Sequence, residues 1–140
     1  MTIQRRELLA SGAAAAVLGG LPRARAQGGG GSAPPIRIGV LTDMSGPYRD
    51  ISGPNVVVLA RQAVQDFGAS ARGLNVEILQ ADHQNKTDVG ASTVRQWFDQ
   101  RDVDAVVDCN NSAVGLAVAG IAREKDKVFL ASGASTAASL

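Results

Sequence analysis

Residues 36–43 read IRIGVLTD, a short β-branched run that predicts a first strand. The next apolar residues recur at helical spacing over 54–67, and Gly68 is suited to end that helix. The alternation then repeats, with predicted strands at 74–81, 104–109 and 128–131 and with helices capped by Thr87 and by Ser112. Four strands that alternate with single amphipathic helices indicate an α/β fold with a doubly wound parallel sheet.

The connections between these elements also predict where a ligand would bind. We expect the strand order 2-1-3-4, as in a flavodoxin-like half, with the first helix on one face and the other two on the opposite face, because such crossovers are right-handed. Ligands of these sheets bind beyond the carboxyl ends of the strands, where the winding direction reverses. The loops of interest are therefore residues 44–53, 82–86, 109–112 and 132–137.

Charge is divided unequally along the 140 residues. Residues 1–26 hold four Arg and one Glu, a charge of +3, so the rest of a chain of net charge +1 carries −2. This balance provides neither a basic footprint for nucleic acid nor a polybasic patch for a membrane surface. We expect neither partner.

The amino-terminal 26 residues are typical of an export signal. Arg5 and Arg6 precede an apolar stretch from Leu8 to Leu21, and small residues favour cleavage after Ala26. The stretch is too short and too rich in Gly and Ala to serve as a membrane anchor. QRRELLA resembles the twin-arginine signal, with the general secretory route as the alternative. Residues 27–35 (QGGGGSAPP) predict a flexible Gly/Pro-rich segment, which leaves residues 36–140 as the folded part.

Few residues suggest chemistry. The single cysteine, Cys109, is predicted to be a small buried hydrophobe at a strand end, and the single histidine, His83, a surface or loop-ordering residue rather than a metal ligand. Asp104 and Asp108 would lie roughly 13 Å apart along a strand, too far for paired acid–base work. The sequence lacks a nucleophile elbow, a Walker loop and a dinucleotide fingerprint. We therefore predict no catalytic residue, metal site or cofactor, and no enzymatic activity.

Three stretches carry a resemblance to a known family: IRIGVLTDMSGPYRDISGPN, ADHQNKTDVGA and CNNSAVGLAVAGIAREKDKVFLASGAST. They resemble the amino-terminal lobe of type I periplasmic solute-binding proteins, nearest the leucine/isoleucine/valine-binding kind that feeds ABC importers. The resemblance implies that residues 36–140 are part of such a lobe. It implies a protein that is exported to the periplasm with its signal removed, binds an amino acid or similar small carboxylate, is a monomer when full length, and delivers its solute to an inner-membrane permease.

The resemblance also implies a ligand site. In this family the loops after the third and fourth strands hold the carboxylate of the ligand, and the first loop adds an aromatic residue. Backbone N–H groups and the dipole at a helix start suit a carboxylate, which agrees with that placement. Carried over by position, the implied ligand-binding residues are Tyr48, Asn110, Asn111, Ser112, Ala134, Ser135 and Thr136.

Simpler interpretations of these residues stay open. Ser112 is alternatively only a helix cap, Ser135 and Thr136 only a polar turn rather than the start of a fourth helix, and Tyr48 only a surface aromatic. A sensor or enzyme domain on a related α/β fold is the alternative to a binding protein. Because the family needs a second lobe, we expect this chain to be a fragment with impaired binding. Apolar surface should stay bare on the sheet face that has one helix. We expect residues 27–140 alone to be poorly soluble or molten.

Overall fold

The computed structural model describes residues 34–135, in which parallel strands alternate with helices. The predictions for Arg5, Arg6, the cleavage after Ala26 and Thr136 concern residues outside this range. The elements, in chain order, are β1 (Ile36–Thr42), α1 (Gly53–Asp66), a short 3-10 helix (Ser70–Arg72), β2 (Val76–Asp82), α2 (Thr87–Gln100), β3 (Ala105–Asp108), α3 (Ser112–Glu124) and β4 (Val128–Ala131).

The four strands form one parallel sheet with the order β2-β1-β3-β4. The predicted fold class and strand order are confirmed. Thr42 pairs with Asp82, Leu41 with Asp108, and Asp108 with Ala131, so the carboxyl ends of all four strands meet at one edge. We call this the carboxyl edge of the sheet.

The main core lies between the sheet and the helices α2 and α3. Leu41 of β1 and Val106 of β3 pack there against Trp97 of α2 and Val118 of α3, and each of these side chains is buried. Gly39 provides the room, because a Cβ at this position would lie 2.3 Å from Cζ3 of Trp97. Thus the core depends on a close approach between β1 and an indole ring.

The other face of the sheet is covered by α1 alone, as the crossover rule predicts. Between α1 and the sheet is an apolar cavity of about 480 Å³, whose lining includes Val64, Phe67 and Val107. Phe67 is 56% exposed, and Val128 and Leu130 of β4 are 52% and 58% exposed. This face therefore leaves apolar surface open to water, as the uneven distribution of helices suggests.

Two of the predicted helix caps are wrong. Thr87 is the first residue of α2, whose N-cap is Lys86, and Ser112 is the first residue of α3, whose N-cap is Asn111. Asn111 has extended backbone angles, and its side-chain oxygen accepts hydrogen bonds from the amides of Ala113 and Val114. The second strand also begins two residues later than predicted, because a 3-10 turn precedes it.

Within residues 34–135, no helix combines the length and the apolar character needed to cross a bilayer.

Candidate functional site

A cavity of about 670 Å³ opens at the carboxyl edge, between the beginnings of α1 and α3. It lies at β1 and β3, where the winding direction of the sheet reverses, which is the expected position for a ligand in this fold. We call it the carboxyl-edge cavity. Its lining residues are Tyr48, Ile51, Ser52, Val56, Asp108, Asn110, Asn111, Ser112, Ala113, Ser132, Gly133 and Ser135.

A larger cavity, of about 840 Å³, lies at the opposite edge of the sheet, around the 3-10 helix. Gly68, Ala69, Ala71 and Gly73 contribute much of its wall, so it offers few side chains for specific recognition. We therefore place the candidate site at the carboxyl edge, where polar side chains from several loops converge.

Two carboxylates organise the loop that carries Tyr48. The Asp43 side chain is buried, and it accepts hydrogen bonds from the amides of Gly46 (2.8 Å) and Tyr48 (3.0 Å). Asp82, at the end of β2, accepts from the Met44 amide at 2.9 Å. Burial alone would raise the pKa of Asp82, but hydrogen bonds from the Ser45 hydroxyl and nearby backbone amides outweigh it and lower the pKa. The loop is thus held from both β1 and β2.

A chain of hydrogen bonds beneath the cavity begins at His83, which is fully buried. Its Nδ1 accepts from the Asn85 amide (3.0 Å), so the neutral ring carries its proton on Nε2 and donates it to Oδ1 of Asn110 (3.2 Å). Asn110 Nδ2 in turn donates to the Ser52 hydroxyl (2.6 Å), which also accepts from Thr42. We call these residues the His83 network. The surface interpretation of His83 is wrong, whereas a loop-ordering role fits these contacts.

The start of α3 is occupied by its own cap. Oδ1 of Asn111 accepts from the amides of Ala113 (2.8 Å) and Val114 (3.1 Å), and its Nδ2 donates to Oδ1 of Asn85. Two of the amides that could hold an anion are therefore already used. The backbone amide and hydroxyl of Ser112 remain as the donors that this helix start can offer to a carboxylate.

The turn after β3 places a carboxylate and a thiol side by side. Asp108 and Cys109 both have positive φ, 82° and 66°, a region that non-glycine residues adopt rarely. Oδ1 of Asp108 accepts from the Ser132 hydroxyl at 3.1 Å. Burial raises the pKa of the Cys109 thiol, and the neighbouring Asp108 raises it further. Cys109 is fully buried, as predicted, and it is held as an unreactive thiol.

The loop after β4 approaches the turn after β3 very closely. A Cβ at Gly133 would lie 2.8 Å from the Cα of Asn110, so only glycine permits this approach. Ser135 contributes to the lining of the cavity. Ala134 lies instead beside α3, where its Cβ would be 3.0 Å from a Cβ added to Gly115.

The structure thus brings five of the seven predicted ligand-binding residues to one cavity: Tyr48, Asn110, Asn111, Ser112 and Ser135. Ala134 is not part of its lining, and Thr136 lies outside the described residues. Sequence reasoning missed Ser52, Asp108 and Ser132. A possible signal was the acidic residue at the end of an otherwise apolar strand, DAVVDC. In residues 34–135, no group of three or more His, Cys, Asp or Glu side chains is placed to hold a metal ion.

Comparison with known proteins gives a consistent result. A family profile described as "Periplasmic binding protein" matches residues 35–139. The chain is similar to a periplasmic binding protein of Burkholderia mallei, with 43% identity and a TM-score of 0.67. It is also similar to a branched chain amino acid ABC transporter periplasmic ligand-binding protein of Burkholderia xenovorans, with 40% identity and a TM-score of 0.69. No curated protein matches the chain.

A more distant structure shows the same fold. It is an ABC transporter solute binding protein of R. palustris in complex with 4-hydroxybenzoate, with 22% identity and a TM-score of 0.66. The alignments cover 71%, 72% and 74% of this chain but only 26%, 27% and 28% of those chains, in the order given. The chain therefore spans little more than a quarter of the length of these structures.

Proposed function

Because the chain belongs to the periplasmic binding protein family, we propose that it supplies part of the solute site of an ABC importer's substrate-binding protein. The solute is an amino acid or a similar small carboxylate, and the protein passes it to a permease in the inner membrane. Residues 1–26 act as an export signal that is cleaved after Ala26 in the periplasm, residues 27–35 form a tether, and residues 36–140 belong to the amino-terminal lobe. The full-length protein is a monomer.

The observation that carries this proposal is the carboxyl-edge cavity. It combines a helix start, hydroxyl groups and an aromatic side chain at the winding reversal of the sheet. Ser112 provides the amide and the hydroxyl of the α3 start for the carboxylate, and the helix dipole adds about 0.3–1 kcal/mol. Ser135 and Thr136 add hydroxyls from the loop after β4, and Tyr48 covers the solute from the first loop.

We assign the two asparagines a supporting role at the site. Both side-chain amides of Asn110 and Asn111 already have partners within the protein. These hydrogen bonds support a role for both side chains in holding the loops around the solute. Ala134 contributes through its position next to α3 and through its backbone.

Binding and transport follow from the way such a site is built. The cavity is open on one side, so the solute binds to this lobe first and a second lobe closes over it by a hinge motion. The closed form is the one that the permease recognises. The site needs no reacting group, because its task is binding and release rather than turnover.

Isothermal titration of the complete native gene product that includes residues 34–135 tests this function. Isoleucine and 4-hydroxybenzoate are suitable probes, because similar proteins carry the corresponding descriptions. We expect saturable binding of at least one probe without chemical change. The Ser112→Ala variant should weaken it about tenfold, as for a hydrogen bond to a charged group. Ser70→Ala, an exposed change at the opposite edge, should leave it unaltered. Turnover of a probe, or equal effects of the two variants, contradicts the proposal.

A further inference from the structure

Among the described residues, Asp108 is the only acidic or basic one in the lining of the carboxyl-edge cavity. It ends β3, its residue is 4% exposed, and its Oδ1 accepts a hydrogen bond from the Ser132 hydroxyl. Its Oδ2 is sealed from solvent and has no hydrogen-bond partner. Within residues 34–135 it is the one buried side-chain oxygen or nitrogen in that condition.

An unpaired buried carboxylate oxygen is costly, and proteins nearly always give such an atom a partner. The part of the lining that the structure describes contains no lysine, arginine or histidine that could provide one. Within residues 34–135, no neighbouring polar side chain donates to this oxygen either. A donor on a bound solute would supply the missing partner.

We propose that Asp108 determines solute specificity by accepting a hydrogen bond from the solute. The solute is then a carboxylic acid that also carries a donor, either an ammonium group or a hydroxyl group. This inference rests on the proposed function. A carboxylate without a donor would leave Oδ2 of Asp108 buried and unpaired, whereas an ammonium group neutralises the charge of Asp108 and a hydroxyl group donates to it.

The carboxylate can reach both partners at once. Rotation about its terminal bond is soft, so the carboxylate can turn its second oxygen toward an entering donor while the hydroxyl of Ser132 follows the first oxygen. The turn also fixes where Asp108 stands, because positive φ at both Asp108 and Cys109 ends the strand abruptly at the cavity. Asp108 thus ends β3 in the same cavity lining as Ser112 and Ser135.

The test compares pairs of probes that differ by one donor. Isoleucine differs from 3-methylpentanoate by its ammonium group, and 4-hydroxybenzoate differs from benzoate by its hydroxyl group. In the complete native gene product, isothermal titration should show at least about tenfold tighter binding of the donor-bearing member of one pair. The pair in which this occurs identifies the donor as an ammonium or a hydroxyl group.

The variant Asp108→Asn should remove this preference. Asparagine tolerates positive φ, and its amide oxygen can still accept from Ser132, so the fold is retained. In this variant, the ratio of the affinities for the two members of the pair should fall below about threefold. The member without a donor should bind as tightly as it binds the wild-type protein, or more tightly. Asp126→Asn is the matched control, because Asp126 also has positive φ, is exposed, and lies at the opposite edge of the sheet. It should leave the ratio unchanged.

The outcomes separate this inference from the proposed function. If Asp108→Asn weakens both members of the pair equally, or leaves their ratio unchanged, Asp108 is only a structural group and the inference is wrong. The inference is equally wrong if the members without a donor bind the wild-type protein as tightly as their partners. If no probe binds the wild-type protein, the proposed function is refuted and the inference falls with it.

Discussion

Two different replacements of His83 can each remove one of its two hydrogen bonds and keep the other. The ring has two partners: Nδ1 accepts from the Asn85 amide, and Nε2 donates to Asn110. The variant His83→Asn places its polar group near the Nδ1 position and can still serve Asn85, but it cannot reach Asn110. The variant His83→Gln places its polar group near the Nε2 position and can still serve Asn110, but it leaves the Asn85 amide unpaired.

The size of the effect follows from burial. His83 is fully buried, and each variant leaves one polar group of a half-buried residue without its partner, which costs up to about 1–3 kcal/mol. Both variants should therefore lower the free energy of unfolding by a similar amount. Only His83→Asn should also weaken solute binding, by roughly fivefold or about 1 kcal/mol, because Asn110 lines the cavity and loses one of its two anchors.

Urea denaturation and isothermal titration of the complete gene product measure the two effects separately. Gln84→Ala is the control, because Gln84 is an exposed neighbour, and exposed substitutions usually change stability by less than about 0.5 kcal/mol. If the two His83 variants lose affinity equally, or if neither loses stability, the network does not act on the site in the way described.

Three further predictions concern single residues. Asn111→Ala should destabilise the protein by about 1 kcal/mol in urea denaturation. Asn111→Asp keeps the capping oxygen but loses the donor to Asn85, so it should destabilise the protein less, and equal losses would contradict the capping role. Gly39→Ala should cost about 1–3 kcal/mol in the same assay through its clash with Trp97, and an unchanged midpoint would show that the ring can move. The pKa of Asp82 is lowered on folding, so its contribution to stability is present above its unfolded pKa of about 3.9 and is lost as the pH falls through its folded pKa. The stability difference between the wild-type protein and Asp82→Asn should therefore shrink in urea titrations below about pH 4, and a constant difference would contradict it.

The order of strands and helices could be predicted because its causes are local. Apolar residues change from one spacing to the other at each boundary, and glycine or short hydroxyl residues stand between them. The choice of buried face on α1 could not be predicted in this way. Its apolar residues spread around much of the helix, so the pattern does not say that Val57 is buried while Phe67 is largely exposed. Asn111 and Ser112 are both suitable capping residues for α3. The backbone angles of Asn111 decide between them, and the sequence does not reveal these angles.

The position of the candidate site could be predicted, whereas the contacts between its loops could not. The loops at the carboxyl edge follow from the strand order alone, and five of the predicted residues line the cavity. The burial of His83 and the place of Asp108 in the cavity lining could not be predicted, because their environments depend on residues distant in the sequence. His83 is paired with a residue 27 positions away, and Asp108 with one 24 positions away. A lone histidine in the polar loop ADHQNK gives no local sign that it is buried.

The turn after β3 links the His83 network to the loop after β4. Asn110 is hydrogen-bonded to His83. Gly133 of the next loop approaches Asn110 so closely that a methyl group on Gly133 would not fit. Asp108, two residues before Asn110, accepts a hydrogen bond from the hydroxyl of Ser132, which directly precedes Gly133. The loop after β4 is therefore fixed at two adjacent points by the turn after β3. A shift of that turn would therefore move the start of the loop after β4 with it, and this coupling holds the two sides of the cavity wall in one arrangement, as selection between similar solutes requires.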